Sequence, residues 1–272
     1  MLVMKTAYLS EKGGRVRNED ACGYWVAGSI GCWVVSDGAG GHGSGDVASR
    51  IVVSTILQTF SQRAFVSPDY AAQLLHTANN AVIDAKRSGV TRDNMHATAT
   101  LLMIDAESSR AIWCHAGDTR IYLIRGGRIV HRSRDHSLVQ NLIDAGYGGE
   151  EIIRGHPQRS LLTSAVGSDD PIELAVGGEN LGLQAGDVFL ICTDGWWEYV
   201  DEPHMLDLLA LSASPEDWLG RMSAALNDTV DGENDNYTAM CIHVEAVEEP
   251  TTVILPAENE TAAGAPSQGD PA

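Results

Sequence analysis

The chain has 272 residues, 44% of them hydrophobic, and carries 37 acidic against 18 basic side chains for a formal net charge of -19. That length can bury a full core as one large domain or two small ones; so acidic a balance argues against a nucleic-acid backbone as the main ligand, because phosphate recognition needs a basic footprint. No apolar run approaches a membrane span and Met1 to Ser10 lacks the apolar block of a signal peptide, so a cytoplasmic protein with no membrane partner is expected.

Strands are predicted at Val3 to Ser10 and Ala21 to Val26, around a polar turn from Glu11 to Asp20, and again at Cys32 to Val35. Helical spacing follows over Gly45 to Phe65 (Val47, Ile51, Ile56, Phe60) and over Pro68 to Lys86 (Ala71, Leu74, Leu75, Ala78, Val82), a pair of helices. His96 to Asp105 and Ala111 to His115 read as strands, and Ile121 to Val130 as a hairpin turning at Gly126-Gly127. A helix over His136 to Ala145 leads into an irregular segment, Gly146 to Asp170. Strands at Ile172 to Val176 and Asp187 to Thr193, helices at Glu202 to Leu211 and Pro215 to Val230, and a last strand over Tyr237 to Val247 complete the pattern. Elements come in blocks rather than strict alternation, which favours antiparallel sheets covered by helices. Residues 248–272 are Pro-, Ala-, Glu- and Thr-rich and read as a disordered tail to a domain spanning 1–247. The five cysteines form no C-x-x-C pair and lie in or beside apolar strands, as buried reduced thiols do.

The stretch from Val34 to Gly45 organises the rest: an apolar strand runs into Asp37 and then a glycine-rich turn before a long helix. Gly38 to Gly43 formally fits the dinucleotide fingerprint G-x-G-x-x-G. Against that reading, Asp37 would oppose a pyrophosphate, and Gln58 to Arg63 supplies no ribose-binding acid. The better reading is a turn that presents Asp37, with a peptide carbonyl, to a cation. Four further acidic sites share its habit of lying at a strand end: Glu19-Asp20, Asp118, Asp194 and Asp235-Asn236. Each alone is compatible with a turn or a solvated loop. Together, without Cys or paired His nearby, they suit a hard, oxygen-loving ion such as Mg2+ or Mn2+. Ser36 lacks a nucleophile-elbow context and reads as packing.

In order, Arg15-x-x-Asn18-Glu19-Asp20, Asp37-Gly38-x-Gly40-Gly41, Gly117-Asp118-Thr119-Arg120-x-Tyr122, Asp135-His136-Ser137, Thr193-Asp194-Gly195 and Asp235-Asn236 resemble the metal-dependent Ser/Thr protein phosphatases of the PPM, or type 2C, family in its short bacterial form. The resemblance runs from about residue 5 to 245. It implies an α+β, four-layer αββα sandwich, in which two central antiparallel sheets are flanked by helix pairs, with a binuclear metal centre at one edge. It implies Asp37 and the Gly38 carbonyl between two Mn2+ or Mg2+ ions, Glu19 on one, Asp194 and Asp235 on the other, Asp20 acting through water, and Asp118 with Asp194 at a third, weaker site. Arg15 matches the phosphate-binding arginine. The implied reaction is in-line attack on phosphoserine or phosphothreonine by a metal-bridging water, with no protein nucleophile. Phosphorylated proteins would be the substrates, a bacterial Ser/Thr kinase the opposing partner, and the enzyme a monomer.

Departures from the family pattern leave some roles open. His42 is either a general acid for the leaving oxygen or a polar loop residue, since Ala39 stands where animal members carry a histidine. Ala97-Thr98-Ala99-Thr100 replaces Gly-Thr-Thr, a packing change by expectation. Asp135 and Ser137 read as cap or turn residues rather than ligands. Gly146 to Asp170 corresponds to the family's variable flap, where Arg154, His156 and Arg159 either meet acidic or phosphorylated substrates or simply decorate a loop. Trp196-Trp197 reads as core rather than an exposed platform. A non-catalytic phosphoprotein-binding module and a dinucleotide-binding oxidoreductase are the competing functions; the complete carboxylate set disfavours the first and Asp37 the second.

Overall fold

The computed structural model describes residues 1–39, 44–89, 95–168 and 170–247. His42 and the 248–272 tail therefore lie outside the described residues. Two five-stranded antiparallel sheets form the centre. The first has the order β1 (Leu2–Glu11), β12 (Tyr237–Ala246), β11 (Val188–Cys192), β8 (Arg120–Arg125) and β9 (Arg128–Arg132). The second has the order β10 (Ala175–Gly177), β7 (Arg110–Ala116), β6 (Ala99–Asp105), β3 (Ile30–Ser36) and β2 (Ala21–Ala27).

Why the strands read as unbroken apolar runs follows from their two-sided burial. Side chains alternate faces, so Cys32 and Val34 of β3, with Leu101 and Met103 of β6, face α1 (Gly45–Gln62) and α2 (Pro68–Arg87). Trp33 and Val35, with Leu102 and Ile104, face the other sheet instead. On the first sheet Leu190, Cys192, Ala239 and Cys241 meet α4 (Asp194–Trp197), α5 (Glu202–Ala210) and α6 (Pro215–Thr229), while Phe189, Ile191, Met240 and Ile242 point into the layer between the sheets. Three stacked cores between four layers result, the expected αββα arrangement. The Trp33 indole donates to Thr6 Oγ1 at 2.8 Å, which satisfies the one polar atom of that buried side chain.

Helix starts are encoded locally. Ser67, Ser137, Asp201 and Ser214 each accept a backbone N–H of the first turn, and proline stands at the opening of α2, α5 and α6. Ser137 is thus the cap that its sequence position suggests, for α3 (Leu138–Asp144). Gly126 and Gly127, at φ +56° and +72°, make the β8–β9 turn that requires positive φ at both positions. All five cysteines are free thiols, four of them buried.

Three elements differ from expectation. The strand foreseen from His96 to Asp105 breaks at Thr98: β5 (His96–Ala97) pairs with β4 (Gly38–Ala39), and β6 then pairs with β3. The strand foreseen at Ile172 to Val176 forms later and shorter, because among the described residues its ladder is with Trp113 to His115. A single helical turn, α4, follows Thr193 and carries no periodic signal of its own. Among the described residues no helix is long and apolar enough to cross a membrane.

Phe189 is fully buried between the sheets. Phe189→Ala is expected to lower stability by about 3–5 kcal/mol, read as a fall in the denaturant midpoint at unchanged slope.

Candidate active site

Register brings the carboxylates together. Ala21 pairs with Ser36, so Glu19-Asp20 before β2 and Asp37 after β3 leave the second sheet at the same edge. Cys192 faces both Arg120 and Ala239, so Asp194 after β11, Asp118 before β8 and Asp235 before β12 leave the first sheet together. The two groups meet across a cavity of about 790 Å³ lined by Arg15, Glu19, Asp37, Gly38, Asp118, Asp194 and Asp235. Asp20 lies behind this wall, accepting from Thr193 Oγ1 at 3.0 Å.

The backbone around each carboxylate is tied down. Asp37 N–H donates to Thr98 Oγ1 at 2.9 Å, Thr98 N–H returns a bond to the Asp37 carbonyl at 2.8 Å, and Thr98 Oγ1 lies 2.6 Å from Thr119 Oγ1. Asn236 Oδ1 accepts from Glu19 N–H at 2.7 Å, and its Nδ2 donates to the carbonyls of Lys12 and Arg17, both at 2.8 Å. His136 grips the turn before Asp118 from both sides: its N–H donates to the Gly117 carbonyl at 3.0 Å and its Nδ1 accepts from Gly117 N–H at 3.3 Å. Burial pushes the His136 imidazole down to about 4 and so keeps that nitrogen an acceptor. Gly38 and Gly45 touch backbone to backbone, and a Cβ on Gly38 would lie 2.2 Å from the Gly45 carbonyl oxygen. Glycine is required there by close approach.

Behind Asp118 and Asp194 sits a buried cation. Arg120 is 1% exposed, forms two hydrogen bonds to Asp135 (2.9 and 2.7 Å), and stacks 3.6 Å from the Trp197 ring. The Trp197 indole in turn donates to the Asp118 carbonyl at 3.0 Å. Asp135 is therefore an ion-pair partner, not the cap or turn residue that its sequence suggests. Trp196 and Trp197 are both buried. In the 146–170 segment Arg154 bonds Glu202 and the Trp197 carbonyl, and Arg159 bonds Glu198; these cations brace the segment instead of facing outward. His156 Nδ1 accepts from Gln158 N–H within that segment.

Electrostatically the cavity is under tension. Desolvation, followed by the charges of Asp20, Asp194, Asp118 and Asp235, holds the Asp37 carboxyl well above the usual carboxylate range. Burial likewise raises Asp118, and it pushes Asp20 and Asp194 up to about 7. Asp20 Oδ1 and Asp194 Oδ1 are buried without a hydrogen-bond partner. Among the described residues the cation in direct contact is Arg15, whose Nη2 lies 2.6 Å from Asp235 Oδ2 at the exposed rim. Among the described residues no three of these side chains close onto a single point as a finished ion cage. The oxygen-only donor set, the orphaned carboxylate oxygens and the mutual repulsion nonetheless fit small divalent cations, whose charge would offset these penalties.

The protein phosphatase 2C family profile matches residues 12–231. The chain belongs to that family, the metal-dependent Ser/Thr protein phosphatases. It is 29% identical over 213 residues to the protein phosphatase PhpP of Streptococcus pneumoniae, covering 76% of this chain and 84% of that one. It is 28% identical to the serine/threonine protein phosphatase PstP of Mycobacterium tuberculosis over 89% of this chain, and spans 45% of that relative's length. The crystal structure of PstP superposes with a TM-score of 0.75 at 26% identity, over 89% of this chain and 99% of the solved one. PppA of Pseudomonas aeruginosa superposes at 0.70 with 30% identity, over 89% and 97%.

Thr98, Thr119, His136 and Asn236 are the site residues that sequence reasoning underrated. Thr98 was legible only as a packing change, although its neighbourhood to Asp37 is what the broken strand creates.

Two outcomes are expected. Asp135→Leu strips the buried Arg120 guanidinium of its two-pronged partner, leaving it Glu202 Oε1 at 3.6 Å and the Tyr122 hydroxyl at 3.3 Å, and costs about 3 kcal/mol, whereas Arg120→Met with Asp135→Leu recovers much of that loss; a double-mutant cycle in urea reads both. In EDTA, stability should fall as pH rises from about 4 to about 7. Below that window Asp20 and Asp194 are protonated in both states; within it the unfolded chain has released protons that the folded chain retains, and above it the full penalty stands. Urea midpoints at pH 5 and pH 8, repeated with Mn2+ added, check the sign and its removal by a cation.

Proposed function

We propose that this chain hydrolyses phosphoserine and phosphothreonine on proteins at the carboxylate-lined cavity, using two Mn2+ or Mg2+ ions and a third, weaker one. The observation that carries this is the convergence of Glu19, Asp37, Asp118, Asp194 and Asp235 on one cavity with buried, unpartnered carboxylate oxygen left over. When bound, divalent cations supply a water of lowered pKa and neutralise charge on the phosphoryl group.

The chain's own residues do the remaining work. Asp37 and the Gly38 carbonyl would serve both ions; Glu19 would hold one, Asp194 and Asp235 the other, with Asp20 behind. Asp118 and Asp194 would hold the weaker third ion. Arg15, planar and always charged, turns from Asp235 to clamp two phosphoryl oxygens, a bidentate geometry that suits a guanidinium. His42 is the candidate proton donor to the leaving serine or threonine oxygen. Thr98, Asn236 and His136 keep the carboxylate-bearing backbone still, which matters because small misplacements at a reacting centre are costly.

The catalytic unit in this reading is residues 1–247, followed by a 248–272 tail. It acts as a monomer in the cytoplasm against the products of a Ser/Thr kinase; the likeness to PhpP and PstP supports phosphorylated proteins as its substrates. Hydrolysis of a phosphothreonine peptide should require Mn2+ or Mg2+, stop in EDTA, and drop at least about a hundredfold in Asp37→Asn and Asp194→Asn. A folded wild type that turns nothing over with either metal would make the chain a binding module instead.

A further inference from the structure

The carboxylate-lined cavity does not end at its far wall. A groove of about 330 Å³ opens beside it, bounded by Ala39 and His96 and by side chains between Ser160 and Ile172. Ala39, Ser160 and Leu162 line both spaces, so the two are continuous. A phosphorylated side chain in the first space leaves its polypeptide neighbours beside the second.

The groove is preformed. Val166 and Ala97 exchange backbone hydrogen bonds of 2.8 and 3.0 Å, which join the irregular segment to β5. Gly167 N–H donates to Asn79 Oδ1 at 2.8 Å, and its carbonyl accepts from Lys86 Nζ at 2.7 Å. Ser164 Oγ bonds both the N–H and the carbonyl of Glu173 at 2.9 Å. Asp170 N–H donates to Ser168 Oγ at 3.2 Å, and Pro171 fixes the following φ. A wall held this way offers a side chain a site with little ordering cost.

Its charge differs from that of the main cavity. Arg15 and Arg17 line the large cavity but not the groove. Among the described residues that line the groove, Asp170 is the only Asp, Glu, Lys or Arg, and it is exposed. The His96 ring, hydroxyls such as those of Thr163 and Ser168, and the apolar faces of Leu162, Pro171 and Ile172 are among the other lining groups.

We propose that this groove receives the substrate polypeptide beside the phosphorylated residue, and that Asp170 selects a basic side chain there. The proposal rests on the phosphatase reading above and names its substrate class: phosphoproteins carrying Lys or Arg close to the phosphorylated serine or threonine, as made by kinases that choose basic sites.

The test uses the full chain with Mn2+ and phosphothreonine peptides identical except for a single Lys or Glu at each of the three positions on either side. Wild type should favour Lys over Glu by about fivefold in kcat/KM at one of these positions. Asp170→Lys should abolish or invert that ratio, with Asp170→Asn between; each ratio is taken within one protein, so a general loss of activity cancels. A flat ratio in wild type, or the same ratio in Asp170→Lys, overturns the assignment. p-Nitrophenyl phosphate, which has no side chains to reach the groove, separates the two levels. Its turnover by wild type alongside a flat ratio removes the groove alone, and no turnover of any substrate removes groove and phosphatase together.

Discussion

Buried like charge is the constraint on which this molecule turns. Asp118 is buried and Asp20, Asp37 and Asp194 are half-buried, and the charges of Asp20, Asp194 and Asp118 all raise the cost of ionising Asp37. A protein interior tolerates such groups only if they take up protons, gain partners or hold cations. Arg15 reaches only the rim, and the orphaned oxygens of Asp20 and Asp194 have no donor. The fold thus stores an electrostatic cost at one edge and spends rigidity to maintain it.

That rigidity has identifiable sources. The two sheets share an apolar layer with Trp33, Phe189 and Met240 at its centre, which fixes the distance between the edge that carries Asp37 and the edge that carries Asp194. Short polar ties then set the local backbone: Thr98 to Asp37, Asn236 to Glu19, His136 to Gly117. Behind them, Arg120 and Asp135 form a fully buried ion pair under the Trp197 ring. Such a pair is weak evidence for net stability because desolvation offsets attraction; its observable role is geometric, since Trp197 holds the Asp118 carbonyl.

The 146–170 segment shows how a basic, irregular stretch is misread in one dimension. Arg154 and Arg159 look available for anionic substrates, yet Glu202 and Glu198 on the adjoining helical turns take them. The pairing joins residues 39 to 48 positions apart, outside any local window. What the segment offers to a ligand is instead its far end, where Ser160 and Leu162 pass from the carboxylate cavity into the groove that carries Asp170.

Sequence alone determined the period-2 and period-3.6 segments, the Ser137 cap and the strand-end position of each acidic residue of the candidate site, because these are local properties of patterning and turn chemistry. The strand-end habit was enough to single out the carboxylates of the candidate site before any register was known. Tertiary structure alone decided that Ala21 faces Ser36 and Cys192 faces Arg120, and hence that five separate turns open onto one cavity. It also decided the break at Thr98, the burial of Asp135 against Arg120 and the continuity of cavity and groove. The reason is physical: strand pairing and side-chain desolvation are set by partners far away in the chain, so no nearby residue records them.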